Sequence, residues 1–129
     1  MPDAHIIGLG HYLPENIVKN EDLSKLMDTS DKWIVDRTGI QERRFASPNE
    51  GPSDLAIPAA AQAIKKAKIN KKDIDFIIFA TSTPDYYVPG SSCIFQDKMK
   101  LDNIGALDIR VQCSGFIYAI SIAEQYIKT

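Results

Sequence analysis

The arrangement best suited to chemistry in this sequence is a thiol placed where a predicted strand meets a predicted helix. Residues 106–111 alternate along the chain, with Leu107, Ile109 and Val111 on one side, which predicts an extended strand. Residues 116–127 carry apolar side chains at the helical period and leave little polar surface, which predicts a mostly buried helix. Cys113 lies between the two elements, where the first N–H groups of the helix have no partner inside it.

This position can serve nucleophilic chemistry. The positive end of the helix dipole favours a thiolate over a thiol, and the thiolate is the nucleophilic form. Gly115 removes a side chain at the same turn, so that another group can approach. These features predict a cysteine nucleophile. The alternative is a small apolar side chain that fills a core, and this stretch alone favours that alternative because cysteine is most often buried.

Composition excludes several classes of protein. The chain has 129 residues and a formal net charge of -2, with scattered Lys and Arg, so we expect neither nucleic acid nor a membrane as a partner. The two cysteines have no metal-ligand spacing and form no disulfide framework, which fits a reducing cytoplasm. No segment resembles a signal peptide or a membrane span. The length predicts one domain, or part of a larger one.

Strand and helix patterns alternate along the chain. We predict strands at residues 4–13, 40–45 (or an extended arm), 75–82 and 106–111. Helices are predicted at residues 20–27, 30–39, 53–68, 91–101 and from 115 onward. The nearly continuous apolar run at 75–82 indicates a strand covered on both faces. This order predicts an α/β fold, a mostly parallel sheet with helices on both faces.

Local signals place the ends of several helices. Asn20, Ser30 and Ser53 are predicted N-caps, because their side chains can accept a hydrogen bond from the first turn. Gly39 is predicted to close the helix that begins at Ser30, in the left-handed conformation. Cys93 falls in the first turn of another helix, and we interpret it as an apolar filler since no polar partner is near it in sequence.

Two further groups of side chains suit binding. Trp33 and Arg37 are four residues apart and share one helix face, where an indole and a guanidinium can clamp an adenine ring and its phosphates. On spacing alone, a half-buried Trp covered by a surface Arg is the favoured alternative. The aromatic residues at 86–90 predict an exposed loop, either a partner surface or a pocket lid.

Three segments, residues 28–44, 80–90 and 106–128, strongly resemble the N-terminal half of β-ketoacyl-[acyl-carrier-protein] synthase III. That family comprises thiolase-fold condensing enzymes that start type II fatty acid synthesis. The resemblance extends from about Ile6 to Thr129 in one register, and it reverses the preference for Cys113 as a filler. It implies that residues 1–129 form an N-terminal thiolase-like domain, apparently truncated, whose C-terminal half is absent.

The resemblance also implies roles for individual residues. Cys113 would be the nucleophile that takes an acyl group from coenzyme A, with its own N–H in an oxyanion-hole role. Malonyl-[acyl-carrier-protein] would then attack the thioester with loss of carbon dioxide. A homodimer is implied, with residues 106–111 pairing with their copy, and no cofactor is implied beyond the coenzyme A thioester substrate. The implied contacts with coenzyme A are Thr29, Trp33 and Arg37, and those at the acyl pocket across the dimer interface are Tyr87 and Val88.

Two departures from the family pattern limit what the resemblance implies. Arg110, Val111 and Gln112 precede the cysteine where the family usually has small residues, which leaves the acyl primer open. The His and Asn that decarboxylate the malonyl thioester belong to the second half of the family pattern. The only histidines, His5 and His11, fall in the first predicted strand and are interpreted as structural. We therefore expect the fragment alone to lack the condensing reaction.

Other functions remain open at this point. A relative of the same superfamily could make a polyketide, quinolone, hydroxymethylglutaryl or head-to-head product. A third hypothesis is a non-catalytic fragment that binds coenzyme A or a partner subunit.

Overall fold

A computed structural model describes residues 3–129, which form two compact units. The smaller unit is Leu13–Glu50, and the larger unit comprises residues 3–12 with Gly51–Thr129. The smaller unit contains β1 (Asn16–Lys19), α1 (Asn20–Leu23), α2 (Asp31–Thr38) and β2 (Glu42–Phe45). The larger unit contains α3 (Pro52–Ala67), β3 (Phe76–Ala80), α4 (Ser91–Met99), β4 (Gly105–Ile109) and α5 (Gly115–Lys128), with 3-10 turns at Lys71–Asp73 and Gln112–Ser114.

The smaller unit is a two-stranded sheet with two helices. β1 and β2 pair antiparallel, with Asn16 opposite Phe45 and Lys19 opposite Glu42. The limits predicted for α2 are confirmed, because the Ser30 hydroxyl accepts a hydrogen bond from the Trp33 N–H at 3.1 Å. Gly39 ends the helix with φ at 72°, in the left-handed region that glycine adopts without strain.

The prediction that Asn20 caps a helix is wrong. Asn20 is the first residue of α1, which ends at Leu23 rather than near residue 27. Its side chain is buried and donates to the Asp31 carboxylate and to the Ile40 carbonyl, both at 2.8 Å, and it accepts from Arg43. A carboxamide that both donates and accepts can join segments far apart in sequence, which a local pattern does not show.

The larger unit is built on a parallel pair of strands. Phe76 lies opposite Gly105 and Ala80 opposite Ile109 along β3 and β4. α3 and α4 cover one face of this pair, where Ile77 of β3 packs with Phe95 and Met99 of α4. α5 packs against β3. The α/β class is therefore confirmed, although the strands of the smaller unit pair antiparallel rather than parallel.

Residues 4–13 do not form the predicted first strand. Residues 8 and 10 instead lie against α3, since a side chain at Gly8 or Gly10 would collide with the carbonyl oxygen of Ala63 or Ala59. Because glycine has no side chain, the backbone of α3 can approach closely at both positions. The approaching backbone belongs to the helix α3, whose N–H and C=O groups are already paired within the helix and cannot form a sheet with residues 8 and 10.

The sequence predicted that Ser53 caps α3, and this prediction is wrong. The helix begins one residue earlier, with Gly51 as N-cap, and the Asp54 carboxylate accepts from the Gly51 N–H at 3.0 Å. Ser53 is fully buried and bonds instead to Asp85, a residue distant in sequence. Pro58 lies inside the helix, where it lacks the N–H of a helical hydrogen bond.

The expectation that α5 is mostly buried is also wrong for this chain. Phe116 is 64% exposed and Ile117 is 65% exposed, and Gly115 is the buried residue of the helix. The reason is that α5 packs mainly against β3 and the turn before it. Within residues 3–129 no helix is both long and apolar enough to cross a membrane.

Candidate active site

Cys113 lies in the 3-10 turn Gln112–Ser114, between the end of β4 and the start of α5. Its side chain is exposed, so the interpretation as an apolar filler is wrong. Gly115 begins α5 close to β3, because an added Cβ there would lie 3.1 Å from the Ala80 Cβ. The expected close approach at Gly115 is thus confirmed, and the approaching group is a strand. This contact fixes the start of α5 directly beyond the thiol.

The residue before the candidate nucleophile has strained backbone. Gln112 has φ at 45°, a left-handed conformation that a residue with a Cβ rarely adopts. Such a conformation costs about 1–3 kcal/mol and is found most often at active sites and switches. The sequence offered no signal for it, since glycine or asparagine would be the usual residue at this φ. The surrounding structure therefore holds Gln112 in a backbone conformation that its residue type disfavours.

Cys93 is a second exposed thiol rather than the filler predicted from its surroundings. It lies in the first turn of α4, and its Sγ is 4.0 Å from the Ser92 hydroxyl. Ser91 and Ser92 take the buried positions of that turn, so the thiol is turned outward. The chain therefore offers two accessible cysteines, only one of which stands at a strand-to-helix junction.

The predicted pairing of Trp33 with Arg37 is present. The Arg37 guanidinium carbon lies 4.3 Å from the centroid of the indole ring, which is 51% exposed. An adenine ring between the two planes would need a separation of about 7 Å, because each stacked pair needs about 3.5 Å. Arg37 must therefore move before a ring can enter between them. The geometry found also matches the alternative of a half-exposed Trp covered by a surface Arg.

Thr29 lies beside this pair in sequence and carries a polar atom without a partner. Its Oγ1 is buried and neither donates nor accepts a hydrogen bond within residues 3–129. Buried hydroxyls normally have a partner, so the lack of one here is unusual, and because Oγ1 is buried a ligand can reach it only if the residues around it move. Thr29, Trp33 and Arg37 all belong to the smaller unit, with Thr29 just before the N-cap of α2, Trp33 in its first turn and Arg37 in its last turn.

The remaining predicted residues, Tyr87 and Val88, belong to the larger unit with Cys113. We call residues 86–88 the aromatic loop. Tyr87 is 83% exposed and Val88 is 89% exposed, so the predicted exposure of this loop is confirmed. The Arg110 guanidinium carbon lies 5.1 Å from the Tyr87 ring centroid, beside a small groove of about 120 Å³. Cys113 lines neither this groove nor the larger one described below.

A partly buried polar network, centred on the buried Ser53, adjoins the aromatic loop, and sequence reasoning missed it. The Ser53 hydroxyl donates to the Asp85 carboxylate at 2.7 Å and accepts from Lys98 at 2.9 Å. Lys98 also pairs with Asp54 at 2.6 Å, and its hydrogen bond holds the pKa of Asp54 below the ordinary value. Burial acts to raise the pKa of Asp85, but hydrogen bonds from Ser53 and Ser91 outweigh it, so that the net pKa is lowered.

An open apolar groove of about 670 Å³ runs between β3 and α5. At one end the rings of Phe76 and Tyr126 stack with centroids 4.7 Å apart. Its other lining residues include Ile78, Ala80, Phe116, Ala119, Ile120, Ala123 and Ile127. The groove is mainly apolar, with Asp75 as a charged lining residue, and its first lining residue on α5 is Phe116.

Comparison with known proteins gives a consistent result. No protein-family model matches the chain. The β-ketoacyl-[acyl-carrier-protein] synthase III of Fusobacterium nucleatum is 49% identical over 129 residues, which are 100% of this chain and 39% of that protein. The crystal structure of 3-oxoacyl-[acyl-carrier-protein] synthase III from Aquifex aeolicus matches with a TM-score of 0.90 and 46% identity, over 95% of this chain and 40% of that one.

A third match is the priming β-ketosynthase of the R1128 polyketide pathway, with a TM-score of 0.90 and 30% identity over 98% of this chain and 39% of that one. The chain thus spans about two fifths of the length of the relatives that it matches. The resemblance predicted from three sequence motifs is confirmed along the whole chain. This chain has the sequence pattern and the thiolase-like α/β fold of the N-terminal part of β-ketoacyl-[acyl-carrier-protein] synthase III.

Proposed function

We propose that this chain is the N-terminal part of a β-ketoacyl-[acyl-carrier-protein] synthase III that starts type II fatty acid synthesis. The observation that carries the proposal is Cys113, an exposed thiol at the junction of β4 and α5 in a chain similar to that family throughout. The strained backbone at Gln112 supports the same assignment.

The proposed reaction has two steps. The Cys113 thiolate attacks the thioester carbonyl of an acyl-coenzyme A, and coenzyme A leaves as its thiol after taking up the proton that Cys113 lost. Malonyl-[acyl-carrier-protein] then loses carbon dioxide, and the resulting carbanion attacks the acyl-cysteine, which releases a β-ketoacyl-[acyl-carrier-protein] and the Cys113 thiolate. A covalent intermediate divides one difficult acyl transfer into two easier steps.

Thr29, Trp33 and Arg37 are proposed to bind the adenine end of coenzyme A. The exposed indole of Trp33 and the exposed guanidinium of Arg37 suit a base and a phosphate respectively, and Thr29 lies two residues before the start of α2. Trp33→Ala should raise KM for acyl-coenzyme A while leaving kcat nearly unchanged, because it removes binding and not chemistry. Lys32→Ala, on the same helix and in an exposed ion pair with Asp36, is the matched control.

A cytoplasmic homodimer belongs to the same proposal. β4 pairs with β3 along one edge, and no strand among residues 3–129 pairs with its other edge, which leaves that edge able to take a copy of itself. The exposed Tyr87 and Val88 suit a contact with the partner's acyl pocket. Two free cysteines fit a reducing compartment.

We infer that residues 1–129 alone do not carry out condensation. The sequence contains His5 and His11 as its histidines, and both are exposed in the segment that lies on α3. The apolar groove along α5 also suits a further part of the protein as its cover. We propose that the residues for decarboxylation are not among residues 1–129.

Acyl transfer to Cys113 tests the proposal directly. The full-length protein that carries these residues is incubated with acetyl-coenzyme A, and the intact mass is measured. We expect one acetyl group, absent from Cys113→Ser and retained in Cys93→Ser, which removes the other exposed thiol of the chain. If the acetyl group is lost in Cys93→Ser, or is still present in Cys113→Ser, Cys113 is not the nucleophile. A full-length protein that takes up no acyl group would contradict the proposed function as a whole.

A priming β-ketosynthase for a polyketide is the second candidate. The similarity to the R1128 enzyme favours it, and Arg110 beside Tyr87 gives this chain a bulky charged residue near the aromatic loop. Mass spectrometry of products formed from a series of acyl donors separates the two candidates. Preference for acetyl-coenzyme A with a fatty acid carrier protein supports the first, and preference for longer donors with a polyketide carrier protein supports the second.

A further inference from the structure

The aromatic loop has highly exposed apolar side chains and is followed closely by serines that are completely buried. Tyr87 and Val88 are among the most exposed apolar residues of the larger unit, whereas Ser91 and Ser92, a few residues along the chain, have no exposed surface at all. An exposed loop with nothing to hold its ends is usually mobile. Here each end is bound to a different element of the larger unit.

The first attachment is Asp85, directly before the loop. Its carboxylate accepts from both the hydroxyl and the N–H of Ser53 in α3, at 2.7 and 3.2 Å. Its own N–H donates to the Ser91 hydroxyl at 3.0 Å. The approach to α3 is so close that a side chain at Gly51 would collide with the Asp85 carboxylate.

The second attachment is Asp108 of β4, which holds the residues that follow the loop. It accepts from the Ser92 N–H at 3.0 Å with one oxygen and from the Ser92 hydroxyl with the other. A side chain at Gly90 would collide with this carboxylate. β4 therefore fixes the start of α4 and the end of the loop together.

Hydrogen bonds to a carboxylate are stronger than those between neutral groups, and a buried donor that loses its acceptor is costly. The two attachments therefore hold the loop in one arrangement before any partner arrives. A loop that is already ordered loses less conformational entropy when it binds. Exposed aromatic side chains on such a base are the arrangement expected of a binding element rather than of a mobile tip.

We propose that Asp85 and Asp108 are positioning residues, which hold the aromatic loop in the arrangement where Tyr87 and Val88 shape the acyl pocket. This inference rests on the proposed function of the loop. The role belongs to the carboxylates as hydrogen-bond acceptors, not to their charge alone.

NMR relaxation of the chain tests the positioning itself. In the wild type, we expect the backbone order parameters of residues 86–88 to be about 0.85, the value of rigid backbone. Asp108→Ala should lower them below about 0.6, the flexible range, while β3 remains rigid. Asp108→Asn should restore them, because its amide can accept from the Ser92 N–H and donate to the Ser92 hydroxyl. Asp97→Ala, which removes an exposed carboxylate paired with Lys100, should leave them unchanged.

A mobile loop in the wild type overturns the inference, and so does a loop that stays rigid in Asp108→Ala. Should Asp108→Ala fail to fold, Ser92→Ala removes the hydroxyl that donates to Asp108. The order parameters of residues 86–88 should then fall in Ser92→Ala, and unchanged values overturn the inference. Equal loss of order in the loop and in β3 assigns Asp108 to general stability and overturns the positioning role.

Donor selectivity of the full-length protein tests the consequence for the reaction. Rates of Cys113 acylation are compared for acetyl-coenzyme A and a donor longer by a few methylenes. Asp108→Ala should change the ratio of the two rates by about tenfold, the lower end of what a methylene contributes in an apolar pocket, and Asp108→Asn should restore it. A purely structural loss lowers both rates equally and overturns the inference. Absence of acylation in the wild type contradicts the proposed function instead, so the two failures are distinguishable.

Discussion

The two faces of the β3–β4 pair have similar side chains and very different surroundings. On the closed face, Ile77 is 7% exposed beneath α3 and α4, where it meets Phe95 and Met99. On the open face, Phe76, the preceding residue of the same strand, is 40% exposed beside α5. An apolar groove lies between α5 and the strand on this side.

Residue type alone therefore does not decide which side chains of this chain are buried. The apolar run of β3 predicts cover on both faces, and α5 is apolar enough to be a buried helix. The described residues supply complete cover for one face only. Apolar side chains on the other face therefore remain partly exposed among residues 3–129.

The contrast between the two faces predicts very different stability losses when one phenylalanine on each face is truncated. Phe95→Ala on the closed face should lower the free energy of unfolding by about 3–5 kcal/mol, because it removes buried contacts and leaves a cavity. Phe116→Ala on the open face should cost about 1 kcal/mol or less, since most of its ring is already in water. Denaturant unfolding of the two variants measures both values. Equal losses would mean that α5 is as well packed as α4.

The polar network beside the closed face gives the next effect. Asp85→Ala should lower stability by about 1–3 kcal/mol at neutral pH, because buried donors of Ser53 lose their acceptor. The folded-state pKa of Asp85 lies below its ordinary value of 3.8, so its contribution is complete above that value and is lost as pH falls through the lowered pKa. Unfolding of both proteins at a series of pH values should show a difference that is constant above about pH 5 and shrinks below pH 4. A difference that grows as the solution becomes acidic contradicts the assignment.

How far sequence predicts this molecule depends on the distance between partners. α2 was predicted correctly because Ser30, Gly39 and the Trp33–Arg37 pairing are local signals, each a few residues from its partner. Ser53 and Asn20 were assigned wrongly as caps for the opposite reason. Each has the right side chain for a cap, but its hydrogen bonds go to residues remote in sequence.

The candidate site divides in the same way. The position of Cys113 at a strand-to-helix junction was predicted from periodicity and is confirmed, and its proposed role came from the resemblance of three motifs. The left-handed backbone of Gln112 could not be predicted, since the residue type argues against it. The carboxylates that anchor the aromatic loop were missed because Asp85 and Asp108 look like ordinary loop and strand residues until their serine partners are known.

The aromatic pair at one end of the open groove offers a smaller test. Tyr126→Ala removes the stacking partner of Phe76 and should cost about 1 kcal/mol beyond the area lost, the usual value of such a pair. Tyr118→Ala, on the same helix and exposed to a similar degree, should stay within about 0.5 kcal/mol of the wild type. Thermal unfolding of the two variants, measured side by side, distinguishes the pair from a general effect of losing a tyrosine. Similar losses would show that the stacked rings add nothing.

The smallest effect on stability, and the most direct view of the open face, comes from a charge placed in the groove. Ile120 lines the groove, whereas Ile117 lies on the same helix outside it, so the two form a matched pair. Both Ile120→Glu and Ile117→Glu should change the free energy of unfolding by only about 0.5 kcal/mol, because both side chains are partly in water. A fluorescent dye that binds apolar surface should lose much of its binding to Ile120→Glu and little to Ile117→Glu. If both variants bind the dye as the wild type does, α5 does not present an open apolar groove, and the contrast between the two faces of the sheet disappears.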